Sequence, residues 1–207
     1  MRRTPLAFLL AVLLATSGCS SAYYTAMYQL GWAKADLLAH RIQQSRNAMA
    51  EAEFQFTDTC QLFRSAPEAG ADHAAAYQNR RDSYGESAAS AAAVRKRRTA
   101  VETAADALFG EWDAQITDST SAAQRTKRQQ HYDEFHAPYD RLLDAMRAAE
   151  ASLPPALEGM QAQLAAWQTP DTAAPAVNPA DCDRAIRALQ LAIALADQYI
   201  VELENTE

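Results

Sequence analysis

The sequence predicts an all-α protein, an elongated antiparallel up-down helical bundle or coiled coil of three long helices plus a shorter fourth. No segment alternates β-branched or aromatic residues with polar ones, so no part of the chain indicates a β-sheet. Apolar residues instead recur at steps of three and four along four segments, which is the period of packed helices. The connections between these segments are short enough to favour antiparallel neighbours.

The first helix is predicted over residues 21–65, with an interruption at Gly31 left open. The residues of its apolar seam alternate steps of four and three: Leu38, Ile42, Ser45, Met49, Ala52, Phe56, Thr59 and Phe63. Pro67 then ends the helix, and Asp72 stands where it would cap the next one.

The second helix is predicted over residues 73–117. Its middle, "ESAASAAAV", consists mostly of small residues that let a neighbouring helix approach closely. The seam combines aromatic, small and branched residues: Tyr77, Tyr84, Ala91, Val94, Val101, Ala105, Leu108 and Trp112.

The third helix is predicted over residues 121–168, where Ser121 and Gln124 fit a capping box. Its seam contains large residues at heptad spacing: Tyr132, Phe135, Tyr139, Leu142, Met146, Ala149, Leu153, Leu157, Met160, Leu164 and Trp167. The step of four occurs twice in a row at Pro154-Pro155, which is a stutter in the heptad. Because proline removes a backbone donor and clashes with the preceding turn, a break is predicted near residue 154, where the helix should kink or restart.

The fourth helix is predicted over residues 179–205, after a linker of proline and small residues. Asn178 would cap it, with Pro179 in the first turn, where proline is favoured. The seam again steps by four and three: Cys182, Ile186, Leu189, Ile193, Ala196, Ile200 and Leu203. At 1.5 Å per residue the first three helices would each be about 60–70 Å long and the fourth about 40 Å.

The N-terminus has the order of a secretory signal peptide over residues 1–18: Arg2 and Arg3, then an apolar run, then small residues. The small residues before Cys19 resemble a bacterial lipobox, which predicts cleavage before Cys19 and its lipidation. Thr16 departs from that pattern, because an aliphatic residue is usual there. Ordinary cleavage nearby, which would leave a soluble periplasmic protein, therefore stays open.

The predicted location is therefore the bacterial cell envelope, where the N-terminal lipid would hold the protein in the membrane. Ser20 stands where inner-membrane lipoproteins often carry Asp, and this favours the outer membrane, with the protein facing the periplasm. Residues 19–207 are then expected to form one helical-bundle domain. The seams could also pair between chains, so a homo-oligomer stays open.

The other two cysteines, Cys60 and Cys182, are predicted to form a disulfide. An exported protein can keep disulfides, and the up-down topology brings both residues to the same end of the bundle. Two buried free thiols are the alternative.

Nothing in the sequence indicates an enzyme, a cofactor or a metal site. No Glu-x-x-His pair is present to build the di-iron site that some bundles hold. All four histidines are interpreted as surface residues: His40, His73, His131 and His136. The carboxylates near "LFGEWD" are also interpreted as surface residues: Asp106, Glu111 and Asp113.

Nucleic acid is not an expected partner, because the net charge is −7 and an acidic protein repels phosphate backbones. The basic run Val94–Arg98, "VRKRR", lies inside a helical pattern. It is interpreted as a solvated helix face or as one side of interhelical ion pairs.

Several phrases resemble an uncharacterised bacterial envelope family of lipoprotein-like helical proteins, domain of unknown function 2959. The residues that carry the resemblance are "SGCSSAYY", "LGWAKADLLAHRI", "ALFGEWDAQI" and "YDRLLDAMRAAEASLPPALEGM". The resemblance spans most of the chain after the signal peptide. It implies a helical lipoprotein and brings no activity and no functional residues.

The sequence therefore favours a non-enzymatic, lipid-anchored envelope protein that acts as a structural or interaction module, with envelope proteins as partners. The alternative is a binding module for an apolar ligand such as a lipid or a quinone. In that case a kink at Pro154-Pro155 and the small residues of the second helix would open a cavity in the bundle.

Overall fold

The computed structural model describes residues 34–65, 72–168 and 176–204 of the chain. They form four helices: α1 (Lys34–Arg64), α2 (His73–Thr117), α3 (Ala122–Trp167) and α4 (Pro179–Glu204). The bounds of α2, α3 and α4 lie within one residue of the predicted ones. The predicted helical residues 21–33 lie outside the described part of the chain.

The four helices form a closed ring in which α1 packs on α2, α2 on α3, α3 on α4, and α4 on α1. Neighbours are antiparallel. At the start of α1, Lys34 Nζ lies 2.5 Å from Glu111 Oε2, near the end of α2. At the other end of this pair, Arg80 near the start of α2 donates to the carbonyl oxygen of Leu62, near the end of α1, at 3.0 Å. The all-α antiparallel bundle that the sequence predicts is therefore confirmed.

Most of the predicted seam residues lie in the core of the bundle. In α4 the prediction is partly wrong, because Ala185, Ala192 and Tyr199 are buried while the neighbouring Ile186, Ile193 and Ile200 are only partly buried. All eight predicted seam residues of α1 are buried. Fully buried seam residues of the other helices include Val94 and Val101 of α2, Leu142, Met146 and Met160 of α3, and Leu189 and Ala196 of α4. Because each buried aliphatic side chain contributes about 1.5–3 kcal/mol, this seam is the main stabilising feature of the bundle.

Three helices begin at the predicted caps. Asp72 Oδ1 accepts from the Ala74 amide at 2.9 Å, and Asn178 Oδ1 accepts from the Ala180 amide at 3.1 Å. Ser121 Oγ accepts from the Gln124 amide at 3.2 Å. Each bond satisfies one of the amides that a helix start leaves unpaired, and such a cap is worth about 1 kcal/mol.

The break predicted near residue 154 does not occur as a restart of the helix, because α3 continues as a single helix through both prolines. Pro154 and Pro155 do lack the amide hydrogens that would bond the preceding turn. However, Leu153 and Ala156 on either side are 1% and 0% exposed, so packing on both sides of the prolines holds the helix. Ser152 Oγ adds a hydrogen bond to the Ala149 carbonyl oxygen at 2.6 Å.

A disulfide joins Cys60, near the end of α1, to Cys182, in the first turn of α4. The two Cα atoms are 6.1 Å apart although 122 positions separate the residues in sequence. Both side chains are buried, so the link lies within the core at the end of the bundle where α1 finishes and α4 begins.

Replacing both residues, Cys60→Ala and Cys182→Ala, should lower the free energy of unfolding by about 4–5 kcal/mol, since the link closes a long loop in the unfolded chain. Urea unfolding of the two proteins under non-reducing conditions measures the difference, with Cys19→Ser as the control that leaves the link intact. Equal stabilities, or alkylation of both cysteines in the native protein without reductant, would contradict the disulfide.

Candidate functional site

A groove lies between α2 and α3. Small residues of α2 face larger apolar residues of α3, and the short side chains leave an open space of about 290 Å³. Its apolar lining consists of Ala88, Ala91 and Ala92 from α2 and Leu153, Pro154 and Leu157 from α3. The groove lies where the sequence suggested a cavity, but on the outside of the bundle.

The core beneath this groove is packed. Val94 of α2 and Ala156 of α3 are fully buried on the inner side of the same two helices, and Met49 of α1 is also fully buried. An apolar ligand at this level would therefore lie between α2 and α3 at the surface, with one side in solvent.

One edge of the groove is charged. Arg95 Nε donates to Glu150 Oε1 at 2.8 Å across the α2–α3 boundary. Glu158 and Gln161 line the groove further along α3. The groove thus combines an apolar floor with a polar rim, which is the composition of many small-molecule sites.

The edge continues into a network of five charged side chains on α2 and α3. Glu150 Oε2 accepts from Arg98 Nε at 2.5 Å, and Arg98 also pairs with Glu102 one turn later on α2. Glu102 Oε1 in turn accepts from Arg147 Nη2 at 2.8 Å. Arg95 and Arg98 of the basic run therefore form interhelical ion pairs, as the sequence indicated.

Glu150 is the centre of this network, with a side chain only 19% exposed. Burial alone would raise its pKa, but hydrogen bonds from Arg98 and Arg95, together with their positive charges, outweigh burial and hold the pKa below its usual range. The carboxylate is therefore ionised at neutral pH and stabilises the contact between α2 and α3.

A cluster of aromatic and histidine rings occupies the α2–α3 boundary nearer the connection between these helices. The ring of Phe109 lies 4.8 Å from that of His136 and 5.2 Å from that of Tyr139, and Trp112 lies 4.7 Å from His131. Sequence reasoning missed this cluster, because it treated His131 and His136 as separate surface residues. In an antiparallel pair, residues at equal distances from the connection lie side by side. Counting back along α2 and forward along α3 from their connection would have placed Phe109 and Trp112 beside His131 and His136.

Two tyrosines at the cluster are buried: Tyr139 belongs to it, and the ring of Tyr199 lies 6.2 Å from that of Tyr139. Burial raises the pKa of Tyr139 and Tyr199 well above the usual tyrosine value, so both hydroxyls keep their protons. The Tyr199 hydroxyl donates to the carbonyl oxygen of Phe135 at 3.2 Å, which fixes α4 against α3.

The other candidate residues from the sequence do not form a common site. Within the described ranges, no three His, Cys, Asp or Glu side chains are grouped closely enough to hold a metal ion. Glu111, one of the carboxylates near "LFGEWD", pairs with Lys34 of α1. Cys19, the predicted lipidation site, and residues 1–18 lie outside the described residues.

A search against protein-family models matched residues 23–203 to a family described as protein of unknown function (DUF2959). The chain belongs to this family. The DUF2959 match covers all of α2 and α3 and nearly all of α4, and it begins eleven residues before α1. Searches against curated proteins and against solved structures returned no match.

None of the four described helices of this DUF2959 protein has a stretch that is both long and apolar enough to cross a membrane.

Glu150→Gln should destabilise the protein by about 1–2 kcal/mol at pH 7, because the charge-assisted bonds to Arg95 and Arg98 are weakened. Since the pKa of Glu150 is depressed in the folded protein, its contribution is present above the ordinary pKa of glutamate. That contribution is lost as the pH falls through the depressed value. In urea unfolding, the difference in free energy of unfolding between the wild type and Glu150→Gln should therefore become smaller as the pH falls through this range.

The control for this experiment is Glu158→Gln, an exposed carboxylate on the same helix. Its effect at pH 7 should stay within about 0.5 kcal/mol. A pH-independent loss in Glu150→Gln would contradict the electrostatic role of this carboxylate.

Proposed function

We propose that this DUF2959 protein is a non-enzymatic, lipid-anchored protein of the bacterial cell envelope that acts as a structural and interaction module in the periplasm. The proposal unites the signal-like N-terminus, the cysteine pair and the shape of the bundle.

The pairing of Cys60 with Cys182 is the observation that carries the envelope location. Disulfides persist in oxidising compartments and are rare in the bacterial cytosol. The disulfide between two buried cysteines on adjacent helices therefore supports export of this helical protein. The signal-like residues 1–18 and the lipobox-like residues before Cys19 support the same location independently.

The shape of the bundle supports the interaction role. At 46 residues, α3 is about 70 Å long, so the bundle is a rod that can present contacts far from an anchor. The face between α2 and α3 offers the apolar groove and the network around Glu150 as a contact surface. The proposed partners are other envelope proteins that bind this face.

Cys19→Ala tests the anchor. Intact mass of the wild-type protein extracted from membranes should show a chain that begins at Cys19 and carries acyl groups, because the thiol is the proposed acylation site. Cys19→Ala should lose the acyl mass and move from the membrane fraction to the soluble periplasmic fraction. A wild-type protein that retains residues 1–18 and stays in the cytoplasm would contradict the proposal.

Crosslinking tests the interaction role. A photo-reactive residue at Ala92, in the groove, should capture an envelope protein in intact cells, whereas the same residue at the exposed Phe54 of α1 should not. Capture at neither position, together with unchanged envelope integrity in a deletion strain, would contradict the interaction role.

The groove itself favours a second candidate, a binding module for an apolar ligand such as a lipid or a quinone. Its volume of about 290 Å³ is at the small end of ligand sites, so it would hold one chain of such a molecule rather than a whole lipid. The charged edge at Arg95 could then contact a polar headgroup.

Ala92→Trp tests this candidate, because the indole would fill the groove that Ala92 lines. Solvent extracts of the purified wild-type protein should contain stoichiometric lipid or quinone, and extracts of Ala92→Trp should not. Ala93→Trp is the matched control, since Ala93 is exposed and does not line the groove. Wild-type protein free of any extractable apolar molecule would contradict ligand binding.

A further inference from the structure

The end of the rod where α2 and α3 connect, called the hairpin end here, carries a local excess of positive charge. Residues 122–131 of α3 contain Arg125, Lys127 and Arg128 and no acidic residue, although the whole chain has a net charge of −7. All three side chains are exposed. Within the described part of the chain, none of them pairs with a carboxylate. Their charge is therefore not neutralised by a neighbouring helix.

Two of these side chains, Lys127 and Arg128, line a pocket of about 350 Å³ between α2 and α3. Trp112, Gln115 and His131 form the rest of its lining, which therefore includes no carboxylate. The partly exposed Trp112 ring lies 4.7 Å from the ring of His131 and forms one wall. The pocket thus combines two basic side chains with a large aromatic ring.

Hydrogen bonds to the end of α2 hold Arg128 in this pocket. Its Nη1 donates to the carbonyl oxygen of Gln115 and to Ser119 Oγ, the latter at 3.2 Å. These bonds use one of the three guanidinium nitrogens, so the N–H groups of the other two remain for an anion. Lys127 Nζ makes no hydrogen bond or ion pair with any described residue. Both side chains can therefore donate to a further acceptor.

We propose that this pocket binds the phosphate headgroups of an anionic phospholipid membrane, so that the hairpin end of the rod contacts the membrane surface. Lys and Arg are the side chains that most often bind phosphate oxygens, and basic residues close to an anionic bilayer are attracted to it. A tryptophan beside them fits the same surface, because its apolar ring and its N–H group suit the level of the headgroups.

The path of the chain brings the hairpin end close to the proposed anchor. At this end α1 begins, where Lys34 Nζ lies 3.2 Å from the Ala107 carbonyl oxygen and pairs with Glu111. Lys34 follows Cys19 by fifteen residues, which span at most about 55 Å, whereas α3 is about 70 Å long. A lipid at Cys19 would therefore keep the hairpin end within that distance of the membrane. This step alone rests on the proposed lipid anchor, and headgroup binding by the pocket does not.

Vesicle binding tests the proposal in the chain from residue 19 onward with Cys19→Ser, which cannot be acylated at that position. This chain should sediment with phosphatidylethanolamine–phosphatidylglycerol vesicles and not with phosphatidylcholine vesicles. Lys127→Gln should weaken vesicle binding by about fivefold, and Lys127→Gln with Arg128→Gln by about twenty-five-fold, because each basic side chain near an anionic surface contributes about that factor. Because the acyl group is absent throughout, the result is independent of the Cys19→Ala experiment.

Arg81→Gln with Lys96→Gln is the matched control for the double variant. It removes the same two residue types and the same charge from exposed positions elsewhere on α2. This control should bind the vesicles as tightly as the unsubstituted chain. Equal weakening in the two double variants, or an unsubstituted chain that does not sediment with the anionic vesicles, would overturn the proposal.

Inorganic phosphate separates a headgroup site from a site for a soluble anion. Added at the concentration of lipid phosphate and at constant ionic strength, it should not displace the protein from the vesicles, because a bilayer presents several headgroups to the basic side chains at once. Displacement of the protein would indicate a site for a soluble anion and would overturn the membrane contact.

A polarity-sensitive fluorescent label reports which end of the rod meets the vesicle. In the same Cys19→Ser chain, a label on Thr126→Cys should shift its emission to the blue when the anionic vesicles are added. A label on Ala75→Cys, an equally exposed position near the disulfide end, should not. A shift at Ala75→Cys as large as that at Thr126→Cys, or no shift at Thr126→Cys, would contradict the proposed orientation and overturn the proposal.

Discussion

The continuous burial of heptad-spaced side chains along α2 and α3 is the constraint on which the rest of the structure depends. A residue such as Val101 or Met146 can leave water only if another helix covers it, so each of these long seams requires partner helices along its length. Near their middle and at the disulfide end, α1 and α4 supply those partners. Toward the α2–α3 connection the side chains are more exposed: Trp112 is partly exposed, and Gln115 and Arg128 are exposed.

Polar groups inside the seam set the register of α1 against α2. Ser87 Oγ donates to Thr59 Oγ1 at 2.9 Å, and both residues are buried at seam positions. A shift of one helix by a turn would break this buried bond between α1 and α2, at a cost of about 1–3 kcal/mol. Arg80 of α2 also fixes the alignment at the end of α1, where it donates to the carbonyl oxygens of Leu62 and Ser65. Its guanidinium carbon lies 4.7 Å from the centre of the Trp167 ring of α3. Apolar burial thus fixes the architecture, and a few polar contacts select the alignment.

Features that depend on local sequence or on topology could be predicted, whereas features that depend on helix register could not. Asp72, Ser121 and Asn178 act as caps because capping is a local hydrogen bond. The pairing of Cys60 with Cys182 was predictable because the up-down order brings both residues to the same end of the bundle. The predicted restart of the helix at Pro154 does not occur, because packing of the flanking residues outweighs the lost backbone bonds. The small residues of α2 line the groove, as the sequence suggested, but its place on the outer side of the bundle depends on how α2 and α3 pack. The ring cluster around Phe109 required the α2–α3 register, which composition does not reveal.

Small-angle X-ray scattering of the monomeric chain tests the central claim, that heptad burial extends this polypeptide into a rod. For a rod the length of α3 with the width of four packed helices, the radius of gyration should be about 22–24 Å. A compact globular domain of the same number of residues would give about 16 Å. A measured value near the larger figure is the result expected, and a value near the smaller one would contradict the four-helix rod described above.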